Sequence, residues 1–333
     1  MQFTWQQALS NRRGNKDAST FPGRGGRMIG QMLRPAITPG FVLPDGAGIF
    51  PIGAYFARAI EDALTGFTVP TLDFSTPEEE GTTRPNGLLN ESNPGTTAQR
   101  ILHAFGQGAA APETIVVADA GMIDLLLPGG SAVTVERAGQ RRAEIDAVYA
   151  RLPDCAAVIL SLSHIEAWFD RDTKTYLNRF PPPEVLRREN KRFVLRVLDL
   201  KQAYQLLEPA VALLADRGIK VLLSVSPMPL QTTLSGVDAV SANMYSKSVS
   251  RVCAQMLCEK FTGVDYFPSY EMAMSAGLAG FEDDHIRVRD PLIGLINQVM
   301  LEHYTARIPS VPAPVLVQPG TPGFGHSILP TSS

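Results

Sequence analysis

Two almost unbroken apolar runs, Ala156-Ala-Val-Ile-Leu-Ser-Leu162 and Ile219-Lys-Val-Leu-Leu-Ser-Val225, constrain the fold more than any other feature of the chain. Apolar runs without alternation suit parallel strands covered on both faces. A charged helical pattern over 136–151 precedes the first run. A second helix, Leu206 to Arg217, bent or restarted at Pro209 and ended by Gly218, precedes the other. Ile49-Phe-Pro-Ile52 and Val264-Asp-Tyr-Phe267 read as further strands, although Pro51 is awkward in a central ladder. Phe56, Ile60, Ala63 and Leu64 share one helical face after the first of these. Thr96–Phe105, Ser246–Lys260 and 289–304 read as helices. On Ser246–Lys260, Val249, Val252, Cys253, Met256 and Leu257 fall on one face. Residues 114–134 read as a hairpin turning at Pro128-Gly-Gly130. Alternating strands and helices from 47 to 305 predict an α/β fold with a mainly parallel central sheet and helices on both sides.

Ligands in such sheets sit beyond the carboxyl ends of the strands. Residues 53–55, 163–168 and 226–233 are therefore the places to look. A net charge of −3 offers no electrostatic case for nucleic acid or an anionic membrane surface. No run approaches the length of a membrane span. The first residues lack the basic-then-apolar order of a signal peptide, and Cys155, Cys253 and Cys258 form no metal-like cluster. These features predict a cytoplasmic protein with no metal and no cofactor. Residues 1–44 read as a Gly/Arg-rich loop arm packed on or near the domain, and residues 1–40 as a surface for a partner or a second copy. The domain proper spans 45–307, and 308–333 form a Pro/Gly-rich tail without a core. Residues 67–95 read as a long, functional loop.

At the first strand end, Gly53-Ala-Tyr-Phe-Ala57 resembles the motif that names the GSCFA family, Gly-Ser-Cys-Phe-Ala. Glu166-Ala-Trp168-Phe-Asp170 with Tyr176-Leu-Asn178 resembles the family's Glu-x-Trp segment, and Ser226-Pro-Met-Pro229 its Ser-Pro-Val-Pro segment. Asn243-Met-Tyr-Ser-Lys-Ser248 and Tyr266-Phe-Pro-Ser-Tyr-Glu271 match too. GSCFA proteins are similar to SGNH-type hydrolases. The resemblance implies a three-layer α/β/α sandwich and hydrolysis or transfer of an acyl group on a small molecule or carbohydrate. That chemistry needs a serine nucleophile, a histidine base, an orienting acid and donors for the oxyanion.

The chain departs from this pattern at both reactive positions. The resemblance places the nucleophile at position 54, where alanine stands. Tyr55 replaces the family's cysteine, and a tyrosine of ordinary pKa is a poor nucleophile at neutral pH. The family's Asp-x-x-His element falls on Asp284-x-x-Arg287, and arginine stays protonated. A shifted register, Glu282-x-x-His285, keeps an acid and a base. Where the family shows roughly Gly-Leu-Thr-Glu, this chain has Ser161-Leu-Ser-His164, so His164 is an odd residue at a strand end. It is a candidate replacement base, two residues from Glu166 and on the same side of an extended segment. Gly53, Arg58, Asn86, Asn90, Trp168, Ser226, Asn243, Tyr245 and Lys247 are candidate substrate contacts. The competing reading of Asn243 to Lys247 is capping ahead of a helix, and that of Ser226 is loop shaping. Three readings follow. Ala54 replaces an engineered-out serine in an ester hydrolase or acyltransferase. Alternatively, His164, Tyr55 or Arg287 supports hydrolysis, elimination or rearrangement without an acyl-enzyme. In the third, the fold binds without catalysis.

Overall fold

A computed structural model describes residues 2–15, 18–21, 27–75, 78–108 and 112–306. Four parallel strands form the central sheet: β3 (Ile49–Gly53), β6 (Ala157–Leu162), β10 (Lys220–Val225) and β11 (Val264–Phe267), in the order β11-β10-β6-β3. Each is a strand that the apolar runs predict. Pro51 is accommodated because β3 is the edge strand, where a missing N–H leaves no ladder bond broken.

Successive residues alternate between two cores, as the strand period of two requires. Phe50, Ile52, Val158, Leu160, Val221 and Leu223 face α3 (Pro94–Ala104), α4 (Val135–Tyr149), α6 (Leu200–Asp216) and α7 (Ala239–Lys260). Ile49, Ala157, Ile159, Leu222 and Phe267 face α2 (Tyr55–Ala63), α8 (Ser269–Ser275) and α9 (Asp290–Tyr304). The result is an α/β sandwich with helices on both sheet faces.

Several local expectations change. Trp5–Gly14 forms a helix, α1, where a loop is expected, because Thr4 and Gln7 make a reciprocal capping box. No residue of α1 is buried. Short strands β1 (Met28–Ile29) and β2 (Met32–Leu33) follow it. The hairpin of β4 (Ile115–Ala118) and β5 (Gly121–Asp124) turns between Ala118 and Gly121, not at Pro128–Gly130. A three-stranded antiparallel sheet of β7 (Glu166–Asp170), β8 (Thr175–Leu177) and β9 (Phe193–Val197) stands beside the main sheet. The short helix α5 (Pro183–Arg188) leads into β9. Helix α7 begins at Ala239, seven residues earlier than the sequence suggests, because the Asp238 side chain accepts from the amides of Val240 and Ser241. Asn243, Tyr245 and Lys247 are therefore helix positions, not caps. Val249, Cys253 and Leu257 face the core, while Val252 and Met256 face solvent. The tail expected over 308–333, Arg307, and positions 16–17 and 22–26 of the expected arm lie outside the described residues. Among the described residues no helix is long and apolar enough to cross a membrane.

Candidate active site

The junction of β3 and α2 is built around Gly53. Its φ is +147°, and an added Cβ would lie 2.6 Å from the Ser161 carbonyl oxygen and 2.8 Å from the Ser161 Cβ. Only glycine fits, both for conformation and for space. The following residue, Ala54, is the N-cap of α2 and has no side-chain acceptor for the helix amides. The first amides of a helix lack intrahelical partners and carry the positive end of its dipole. The geometry is a tight strand–glycine–helix elbow with a methyl group at the first position of the turn. Arg58, nearly fully buried, donates to the Pro51 carbonyl and pairs with Glu61, so it braces this junction.

The loop 90–92 ties the β3 and β6 ends together. The Glu91 amide donates to the Gly53 carbonyl at 2.9 Å, and the His164 amide to the Ser92 carbonyl at 3.1 Å. Asn178 clamps the loop: its Oδ1 accepts from the Ser92 amide (3.0 Å) and hydroxyl (2.7 Å), and its Nδ2 donates to Asn90 O and to Glu91 Oε2. Glu91 also pairs with Arg100 at 3.1 Å. Burial nevertheless pushes the Glu91 carboxyl up to about 7. Asn178 sits within a segment that matches the family, but neither it nor Glu91 is singled out by the sequence reading. Their polar side chains carry no local sign that two segments so far apart in the chain meet.

On the α7 side, Ser246 Oγ accepts from the Ile165 amide at 3.1 Å. Lys247 is buried and donates to the carbonyls of Met228 (2.7 Å) and Ser163 (3.4 Å). No carboxylate pairs with it among the described residues. Burial lowers the Lys247 ammonium to about 7. His164 lies beside it, and burial, with help from the Lys247 charge, lowers the imidazole to about 3. At neutral pH His164 is therefore uncharged. Its Nδ1 makes no hydrogen bond in the chain, and the same holds for Ser161 Oγ, Ser163 Oγ and Asn90 Oδ1. Buried polar atoms without partners, clustered at two neighbouring strand ends, are costly unless something else meets them.

Other expected pairings do not form. Glu166 accepts from the Thr233 hydroxyl and, at 3.0 Å, from the Leu234 amide, so it holds the 230–235 loop and not His164. Asp284 accepts the Arg287 amide and guanidinium and the Ile286 amide, which hold its carboxyl down at about 2. Arg287 is thus bound to its own acid, close enough to feel Tyr55 electrostatically. In the shifted register, Glu282 pairs with Arg289 and not with His285, which sits exposed at φ +54°. Tyr55 is half exposed. Asn86 is buried and fully engaged with Leu72, Pro70 and Glu61. Ser226 accepts from the Met228 amide at 3.3 Å, and Asn243 accepts from the Leu230 amide at 2.9 Å. Tyr245 points to solvent, and Trp168 packs edge-on against Phe180 in the small sheet. The structure thus links the ends of β3 and β6 through Gly53, the 90–92 loop and Ser161–His164, with Lys247 bonded to the Ser163 carbonyl. Among the described residues, no group of three or more His, Cys, Asp or Glu side chains is placed to hold a metal ion.

The GSCFA family model matches residues 48–299, and the chain belongs to the GSCFA family. No curated protein matches the chain.

Proposed function

We propose that the chain binds an acylated small molecule or carbohydrate at the strand ends of a GSCFA domain without forming an acyl-enzyme. The observation that supports this most is the double departure from acyl-transfer chemistry. The elbow carries Ala54, and the position of the base carries Arg287, closed onto Asp284 at 2.7 Å. An engineered loss of serine alone would leave a working base, and His285 lacks an acid partner in the described residues. The donors and acceptors for a bound ester are the Ser163 hydroxyl, Asn90, the free first amides of α2 and the Lys247 ammonium. A panel of short acyl esters and acetylated sugars, titrated calorimetrically, tests the reading. Binding that weakens about tenfold in Asn90→Ala supports it, since losing a polar contact of about 1–2 kcal/mol has an effect of that size. Failure of every member of the panel to bind overturns it.

A second reading rests on Lys247 and His164. Burial lowers Lys247 to about 7, so its neutral amine can accept a proton from a bound water and drive hydrolysis without a covalent step, while His164, lowered to about 3, is too weak a base and can only orient the water by a hydrogen bond. Turnover of a bound ester that disappears in Lys247→Met and is only weakened in His164→Gln would favour this reading over simple binding.

A further inference from the structure

A cavity of about 640 Å³ opens between α3, α4 and the turn from β7 to β8, on the sheet face opposite α2. Its size is that of a small-molecule site. None of Gly53, Ala54, His164 or Lys247 lines it. Its inner wall is polar and buried, built by Glu91, Arg100 and Arg142, with Leu102 and Leu126 as apolar patches. The charges there are already matched. Arg100 Nε donates to Glu91 at 3.1 Å and its Nη1 to Asp146 at 2.9 Å. Arg142 donates to Asp124, and Arg192 to Asp170. An anion in the cavity would face Glu91 and Asp146 as well as Arg100. A cation would face Arg100 and Arg142. Either would have to compete with a buried pair, and breaking such a pair strands a charge.

Hydrogen-bonding capacity is not matched in the same way. Among the described residues, Arg100 Nη2 and Asp146 Oδ2 make no hydrogen bond. A donor and an acceptor thus stay open on one ion pair at the cavity wall. A hydroxyl serves both, because it accepts and donates at once. His103 lies three residues on from Arg100, on the same face of α3, and Gln107 adds an amide with donors and an acceptor. We propose that this cavity is a second binding site, for a neutral, hydroxyl-rich ligand such as a sugar ring or a cyclic polyol. Adjacent hydroxyls bridge Arg100 and Asp146, and the C–H face of the ring lies on Leu102 and Leu126. Such a ligand enters without breaking a buried ion pair. The inference does not rest on the ligand proposed for the elbow.

Calorimetric titration of the full chain with glucose, galactose, myo-inositol and maltose, none of them acylated, tests it. At least one should bind. Asp146→Asn, which turns the open acceptor into a donor, should weaken that binding about tenfold or more. His103→Trp, which fills the cavity, should abolish it and leave far-UV circular dichroism unchanged. Maltose binding more tightly than glucose would mark the end of a longer glycan as the ligand, and the reverse order a free sugar. Failure of all four to bind overturns the inference. Tighter binding of glutarate or putrescine, the ionic controls, does so too. A sugar whose binding is lost in Asn90→Ala but kept in His103→Trp sits at the elbow and overturns it equally.

Discussion

Replacing Gly53 by alanine probes the elbow on which the site stands. The new methyl would lie 2.6 Å from the Ser161 carbonyl oxygen, a backbone atom. Ser161 cannot retreat, because β6 is bonded to β3 on one side and β10 on the other. Overpacking of this kind costs about 1–3 kcal/mol, and a β-carbon at φ +147° adds about 1–3 kcal/mol. We expect a loss of about 2–5 kcal/mol in urea denaturation followed by circular dichroism, with an unchanged slope. Gly139→Ala is the control. Gly139 lies within α4, exposed, with nothing within 4 Å of the added Cβ. There the same substitution should gain about 0.5–1 kcal/mol from helix propensity. A Gly53→Ala protein within about 0.5 kcal/mol of the parent would refute the reading of the elbow as a close-approach glycine.

Titration of the buried groups gives opposite slopes. The His164 imidazole, at 6.5 when unfolded, resists protonation down to about 3 in the native chain. The unfolded state binds the extra proton between these values, so His164 lowers stability as pH falls through that window. Glu91, raised from 4.5 to about 7, does the reverse: the native state holds the proton, and stability falls as pH rises through that window. Difference curves for His164→Gln and Glu91→Gln against the parent should therefore slope in opposite directions. Lys247, lowered from 10.5 to about 7, makes the native chain more stable as pH rises through that interval, and Lys247→Met should remove this rise. Arg142 donates to Asp124 Oδ2 at 2.8 Å and to the Thr114 hydroxyl at 2.8 Å, in a buried pair. Arg142→Ala should cost about 3–5 kcal/mol in the same denaturation assay, because it strands the Asp124 charge.

The four central strands are legible because each is an apolar run that both cores need. Burial on two faces writes itself into composition. The elbow is legible for a similar reason: Gly53 precedes a clean amphipathic face and no other residue fits there. What hides is whatever depends on partners distant in the chain. Glu166 and His164 are two residues apart and read as a pair, yet the 230–235 loop claims Glu166 by offering two donors. Asn86 reads as a free loop amide but is spent on Glu61, Pro70 and Leu72. The start of α7 is hidden because the cap at Asp238 lies ahead of the apolar periodicity, so Asn243 to Lys247 read as the capping end of a helix when they lie well inside one, with Lys247 buried. Glu91 leaves no local trace, and Asn178 shows only as the end of the Tyr176-Leu-Asn178 match, with nothing to mark its hold on the 90–92 loop.

The central claim is that the elbow holds a ligand but supports no acyl-enzyme. Intact-mass spectrometry after incubation with an activated acyl ester tests it most directly, on the parent chain and on Ala54→Ser. We predict no covalent acyl adduct at position 54 in either, because Arg287 cannot accept the serine proton. An Ala54→Ser chain that gains one acyl group at the introduced serine and then releases it to water would contradict the account and return the site to ordinary ester hydrolysis.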